Sequence, residues 1–251
     1  MSRLVLWLSE LPAWLAFFVV LAAYEGFAVG VTLVARRAYA RWQFPRSASF
    51  VPPWLQLVGG LNALLFAFVI VSLWSSLHAA EANVDDEAFT IRMLYRDVQP
   101  AQRPLVVAYA RAIVDSWPML CGGAQAGVSA GLLLTQIERE GRPVEKNAQG
   151  DLDRDLSTLE DLRARRLHAT VSGVPDELWL GLVVLSAILI VMTSFIHPER
   201  ADMHLALAGF VALSIALLLW VAVSLDFPFC GGTTVMPLPL QETIDALTSP
   251  G

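Results

Sequence analysis

The run Pro53–Leu77 reads PWLQLVGGLNALLFAFVIVSLWSSL and contains no charged residue. It exceeds the roughly 20 residues that a helix needs to cross about 30 Å of hydrocarbon. Only helices and closed barrels satisfy their backbone hydrogen bonds inside lipid, and so continuous an apolar run predicts a helix. Three further runs of this kind are Leu11–Ala35, Leu178–Ile196 and Met203–Leu225. The sequence therefore predicts an all-α membrane protein with four spans.

An insert, residues 78–176, separates the second predicted span from the third. Its apolar residues recur at helical spacing, and no strand pattern occurs. One helix continues out of the second span to about Val98, and two more are predicted over Leu105–Ser116 and Asp151–Ser172. The expected organisation is an N-terminal membrane half (1–77), a helical extramembrane domain (78–176), a C-terminal membrane half (177–227) and an extramembrane tail (228–251).

Composition excludes several classes of function. Apolar residues make up 56% of the 251-residue chain, and the mean hydropathy is +0.57. The net charge is −6, and no basic face occurs outside one short loop, which argues against a nucleic-acid partner. No nucleophile elbow, phosphate loop or zinc-protease helix occurs. We therefore expect a lipid bilayer around the protein, an inorganic ion as its candidate ligand, and neither an enzymatic activity nor a cofactor.

The basic residues of the short loops predict the orientation. The loop after the first span carries Arg36, Arg37, Arg41 and Arg46 and no acidic residue, whereas the tail after Leu225 has no basic residue. Loops rich in arginine and lysine stay in the cytoplasm. Met1–Glu10 lacks the features of a cleaved signal peptide, so the first span is expected to be a permanent anchor. We expect an inner-membrane protein whose termini and insert face the periplasm.

Two cysteines lie in similar surroundings. Cys121 belongs to WPMLCGG, which starts at Trp117, and Cys230 belongs to FPFCGG, which starts at Phe227. In the predicted orientation both face an oxidising compartment, where disulfides persist. A Cys121–Cys230 bridge would tie the insert to the end of the fourth span; the alternative is two unrelated buried thiols.

Glu25 lies near the middle of the first span, where an ionisable side chain is costly and suggests function. Asn62 has a similar depth in the second span and is expected to hydrogen-bond to it. One interpretation is a proton, cation or gating site. The alternative is a neutral carboxyl group that holds two helices together, as polar residues in membranes often do.

A stripe of residues at unbroken helical spacing follows one face of the second span. Its members are Gly59, Asn62, Phe66, Val69, Leu73 and Ser76, continued by Ala80, Asn83 and Glu87. In a ring of subunits such a stripe would line a pore, with Phe66, Val69 and Leu73 as an apolar gate. Ordinary helix packing would produce the same spacing.

Two clusters contain residues that bind metals elsewhere. His78, Glu81 and Asp85 share one helix face beyond the second span and are a candidate cation site. A solvated acidic face is the alternative. The turn between the third and fourth spans contains His197, Glu199, Asp202 and His204, for which a polar hairpin is the simpler interpretation.

Several segments together resemble the bacterial bestrophin-like membrane family. They are Glu81-Ala-Asn, Leu94-Tyr95-Arg96, Tyr109-Ala-Arg-Ala-Ile-Val before Trp117-Pro118, Arg163-Ala-Arg-Arg166-Leu167, Pro175 with Leu178-Trp179, and Asp226-Phe-Pro228-Phe-Cys-Gly231. Their order and spacing cover nearly the whole chain after the first span.

The resemblance implies a fold and a function class. Bestrophins are pentameric anion channels with four spans per subunit, a pore lined by the second span, and a helical domain outside the membrane. They keep that domain and their termini in the cytoplasm, unlike the orientation predicted here. The acidic calcium clasp that some bestrophins carry after the fourth span has no counterpart in this chain. Anion selectivity and calcium gating are therefore not carried over.

Three hypotheses follow for the function. The first is a homo-oligomeric channel or channel-like protein with the second span around the axis. The second is a non-conducting membrane sensor or scaffold that binds a partner through the insert. The third is a proton-coupled carrier that uses Glu25. The function is expected to lie in the first two spans and the helix that leaves them, and the third and fourth spans are expected to face lipid.

Overall fold

The computed structural model describes residues 5, 7–8, 11–42, 51–122, 127–140, 143, 149–171, 173–195, 201–230 and 233–249. The helices are α1 (Ala13–Trp42), α2 (Val51–Asp97), α3 (Arg103–Ser116), α4 (Val128–Glu140), α5 (Gln149–Ala169), α6 (Asp176–Ser194), α7 (Ala201–Asp226) and α8 (Leu238–Thr248). Short 3-10 helices cover Pro100–Gln102 and Trp117–Gly122. Four residues with predicted roles lie outside the described residues, namely Arg46, His197, Glu199 and Gly231.

The predicted fold class is confirmed. Four helices are long and apolar enough to cross a membrane, namely α1, α2, α6 and α7. Among the described residues the only β pairing is an isolated bridge between Val98 and Pro143. The second span and the helix beyond it are one helix of 47 residues. Proline ends this region, since Pro100 starts the next 3-10 turn and Pro104 lies in the first turn of α3, where a missing N–H costs nothing.

The chain forms two compact units. The membrane unit comprises Met1–Trp74 and Gly173–Asp226, and the helical unit comprises Ser75–Ser172 and Phe227–Gly251. Helix α2 contributes its first half to the membrane unit and its second half to the helical unit.

In the membrane unit α1 packs along α7. The Trp220 indole nitrogen donates to the Ala13 carbonyl at 2.9 Å, and the Phe17 ring meets the Trp220 ring edge-on at 5.6 Å. The hydroxyl groups of Thr32 and Ser194 join α1 to α6 at 3.1 Å. In the isolated chain α6 and α7 are the more buried spans. Of the most apolar stretch of each helix, 33% is buried in α6 and 39% in α7, against 17% in α1 and 22% in α2. The third and fourth spans are thus the spans most covered by the rest of their own chain.

In the helical unit α3 lies at the centre, packed on α4 and α8. Its core is formed by side chains of α2, α3 and α5, among them Ile91, Leu94, Tyr109, Ile113 and Leu159, all of which are fully buried. The amphipathic spacing of α3 accounts for this, because its buried residues recur every three or four positions. The tail helix α8 covers α2, where Arg92 donates to the Thr243 hydroxyl at 2.7 Å.

Candidate functional site

The predicted pore stripe is buried inside the subunit. Asn62, Phe66, Val69 and Leu73 are at most 4% exposed, and the Leu189 side chain would contact a Cβ at Gly59. Only Ser76 of the six predicted lining residues is exposed. A side chain that is already covered by its own subunit cannot line a pathway between subunits. The stripe is a packing face, because helical spacing identifies the face that is buried without identifying what covers it.

The opposite face of α2 is the exposed one. In the membrane unit it presents large apolar side chains, with Leu64, Phe68 and Val71 each 65% exposed or more. In the helical unit the same face of the helix continues at the same spacing. Ser75 and Asp86 lie on it, and both are exposed. In the isolated chain this face is uncovered along both halves of the helix.

Glu25 and Asn62 do not form the predicted hydrogen bond. The Asn62 carbonyl oxygen accepts from the Ser186 hydroxyl of α6 at 3.3 Å. The Glu25 carboxylate instead approaches α7, where its Oε2 would lie 3.4 Å from a Cβ at Gly209. An alanine at position 209 would meet the carboxylate in ordinary van der Waals contact. Equal depth in the membrane predicted the pairing, but the two side chains point to different neighbours.

A buried ion pair forms the centre of the helical unit. Arg166 of α5 and Glu87 of α2 have fully buried side chains, and the guanidinium Nε and Nη2 donate to the carboxylate at 2.8 and 3.2 Å. The Tyr109 hydroxyl of α3 donates to the same carboxylate at 3.2 Å. Burial, and then the negative charge of Glu87, raise the pKa of Tyr109 well above its usual range. The hydroxyl therefore keeps its proton and remains a donor.

Trp117 extends this cluster toward the tail. Its ring lies 5.7 Å from the Arg166 guanidinium carbon, and its indole nitrogen donates to the Val235 carbonyl at 3.1 Å. The Phe229 ring packs edge-on against it at 5.5 Å. Trp117 and Arg166 were singled out in the sequence by resemblance only, and Glu87 only as part of a stripe. Their contact joins segments far apart in the chain, for which no local pattern gives a signal.

The two cysteines meet in the helical unit. Cys121 and Cys230 form a disulfide with their Cα atoms 5.1 Å apart, across a sequence separation of 109 residues. The bond ties the segment after α3 to the start of the tail. Beside it the Pro228 carbonyl accepts from the Val235 amide at 2.8 Å.

The remaining predicted residues occupy different places. His78 and Glu81 are exposed and hydrogen-bonded at 2.9 Å. No group of three or more histidine, cysteine, aspartate or glutamate side chains among the described residues is arranged to share a metal ion, so the cation site at His78, Glu81 and Asp85 is not formed. Trp179 is buried in α6, and Arg96 is exposed at the end of α2.

Two side chains from the segments that resemble the bestrophin-like family form hydrogen bonds with backbone groups. The Asp226 carboxylate at the end of α7 accepts from the Val174 amide at 2.7 Å, just before α6 begins. The Arg163 guanidinium donates to the Gly127 carbonyl at 3.0 Å. Gly131 permits that approach, because a Cβ there would lie 2.6 Å from Arg163 Nη2.

Comparison with known proteins identifies the family. The profile of the Bestrophin-like domain matches residues 22–240. The chain belongs to the bestrophin-like family. Its fold is similar to that of a bacterial bestrophin homologue from Klebsiella pneumoniae, with a TM-score of 0.62 and 16% identity over 92% of this chain and 95% of that one. A crystal structure of a membrane protein with a single substitution gives a TM-score of 0.67 and 15% identity over 92% and 96% of the two chains. A comparison with curated proteins finds no match.

The bestrophin-like fold agrees with the resemblance drawn from the sequence. Four spans, a long second helix and a helical insert between the second and third spans are all present. The solved structures are too distant in sequence to transfer residue roles.

Proposed function

We propose that this bestrophin-like protein is a homo-oligomeric ion channel whose central pathway is lined by the exposed face of α2. The observation that carries the proposal is the uncovered apolar face of Leu64, Phe68 and Val71. Four or more such helices around an axis would form an apolar constriction of the kind that gates by dewetting. Membership of a family that contains channels supports the same conclusion.

The charges along α2 favour cations over anions. Beyond the membrane unit the exposed residues of the helix include Glu81, Asp85 and Asp86. Rings of acidic side chains concentrate cations at the mouth of a pathway. We therefore propose a preference for inorganic cations, in contrast to the anion selectivity that the family name implies.

Phe68 and Phe66 provide a matched test because they lie two positions apart on opposite faces of one helix. Phe68→Ala removes an exposed ring, so ion flux in proteoliposomes should rise several-fold while stability changes little. Phe66→Ala opens a cavity in the membrane unit and should lower the free energy of unfolding by about 3–5 kcal/mol. Flux is measured with a K⁺ gradient and again with a Cl⁻ gradient.

Two results would contradict the proposal. A purified protein that is strictly monomeric by native mass spectrometry in nanodiscs cannot enclose a pathway between subunits. If the ion flux of Phe68→Ala equals that of the wild type and only Phe66→Ala changes the flux, the pathway lies along the buried face of α2.

We further propose that the protein lies in the inner membrane with the helical unit and both termini in the periplasm. The Cys121–Cys230 bond and the arginines at the end of α1 support this orientation. In a variant without the two native cysteines, Ser157→Cys in α5 should react with a membrane-impermeant maleimide on intact spheroplasts. Arg37→Cys at the end of α1 should react only after lysis, and the reverse pattern would refute the orientation.

A further inference from the structure

A cavity of about 650 Å³ opens on the helical unit between α3, the end of α2 and α8. Its wall includes Tyr95, Arg103, Val107, Arg111, Asp115 and Thr248. Two of these positions, Tyr95 and Arg111, belong to the segments that resemble the bestrophin-like family, yet the proposed pathway uses neither. Ligand cavities in proteins have this size and this composition, mostly apolar with a few polar groups that fix orientation.

Positive side chains outnumber negative ones among the residues that line the cavity. Arg103 and Arg111 both line it, and neither lies within ion-pair distance of an acidic residue in the described part of the chain. Asp115 is the single acid among the lining residues. The cavity therefore carries one excess positive charge in a chain whose net charge is −6. Attraction for an anion follows from that local excess.

The Arg103 side chain contacts an aromatic ring on the cavity wall. Its guanidinium carbon lies 5.1 Å from the centre of the Tyr95 ring, within the range of a cation–π contact. Its Nε atom is buried and has no hydrogen-bond partner among the described residues. The terminal Nη atoms of Arg103 pair with no acidic side chain of the described chain, so they are the donors that an acceptor on a bound ligand would meet.

Arg111 lies two turns further along the same face of α3, about 12 Å from Arg103 at 1.5 Å per residue. Between the two arginines the wall is apolar, formed by Pro104, Val107 and Ala108. A ligand that fits must therefore combine a negatively charged group with an apolar body. Arginine pairs with carboxylate or phosphate through parallel hydrogen bonds, which gives such a group a defined orientation.

We propose that this cavity binds a small organic anion, with its carboxylate or phosphate on Arg103 or Arg111 and its apolar part against α3. The ligand is a water-soluble molecule and not a second copy of the chain. Binding here does not require that the protein conducts ions, so it can be tested independently of the channel.

The test uses 1-naphthoate as the probe and the full-length protein in phosphatidylcholine nanodiscs. Isothermal titration calorimetry should detect saturable binding that empty nanodiscs lack. Arg103→Gln and Arg111→Gln should each raise Kd tenfold or more. Arg96→Gln, an exposed arginine beside Tyr95 that does not line the cavity, should leave Kd within twofold. The cation 1-naphthylmethylammonium, which has the same ring, should not compete.

Several results would overturn the proposal. Naphthoate that does not bind, or that binds both cavity variants as tightly as the wild type, would show that the cavity is not an anion site. Equal binding of the cationic probe would show partition into an apolar surface. Dissociation of an oligomer in Arg111→Gln, with no naphthoate binding to the wild type, would assign the cavity to a contact between subunits.

Discussion

The membrane unit and the helical unit hold their buried polar groups in different ways. In the membrane unit the helices are joined by neutral pairs, Ser186 to Asn62 and Thr32 to Ser194. In the helical unit a full ion pair between Arg166 and Glu87 is buried at the centre. A charge inside hydrocarbon is far more costly than an amide or a hydroxyl group, which explains why each unit uses the groups it does. The same difference predicts how much each unit loses when one partner is removed.

The largest effect is expected from Arg166. Arg166→Ala leaves the Glu87 carboxylate buried without its partner, with only the Tyr109 hydroxyl still donating to it. Breaking a buried pair by removing one side costs about 3–5 kcal/mol. Titration of the purified full-length chain with sodium dodecyl sulfate in mixed micelles, followed by circular dichroism, measures this loss in the free energy of unfolding.

Arg165 is the matched control because it lies one position away and pairs with Asp161 at 2.7 Å on the exposed side of α5. Solvent-exposed ion pairs are worth less than about 1 kcal/mol, so Arg165→Ala should be nearly neutral. Similar losses for the two variants would mean that burial does not set the cost. The double variant Arg166→Met, Glu87→Leu removes both charges and should recover part of the loss.

A smaller effect is expected from Asp155 of α5. Burial, then the negative charge and hydrogen bond of Asp97 and the charge of Asp151, raise the pKa of Asp155 to about 6, and Arg154 opposes them. The folded state therefore keeps this proton when the unfolded chain, at an ordinary value of 3.8, has lost it. Stability should fall as the pH rises from about 4 to about 6 and stay constant above, which is the sign for a raised carboxyl pKa.

Because Asp155 is partly exposed, solvent screening reduces the effect to about 1 kcal/mol. Asp155→Asn should be more stable than the wild type at pH 7 and should lose the slope between pH 4 and 6. Asp153→Asn, at an exposed position of the same helix, should keep the slope. The unfolding midpoint measured in steps of half a pH unit distinguishes these outcomes, and an unchanged slope in Asp155→Asn would assign the titration to another group.

The comparison of the two units also shows what could be predicted from the sequence. The four spans follow from uninterrupted apolar runs, and the length of α2 follows from a helical pattern that no proline interrupts between Pro53 and Pro100. The face of α2 that packs was visible in the stripe of Phe66 and Leu73, but its neighbour was not, because spacing carries no information on what covers a face. The Arg166–Glu87 pair spans 79 residues, and only tertiary structure brings the two together.

The smallest effect should come from the membrane unit. Ser186→Ala removes the donor to Asn62, and hydrogen bonds between membrane helices are worth about 0.6 kcal/mol on average and no more than about 1.7. Ser214→Ala is the control, because that exposed hydroxyl donates only to the Phe210 carbonyl one turn earlier in α7. A loss for Ser186→Ala as large as that for Arg166→Ala, in the same detergent titration, would remove the distinction between the two units. A loss below 2 kcal/mol would indicate that the membrane helices depend on close packing and that buried polar pairs only adjust their register.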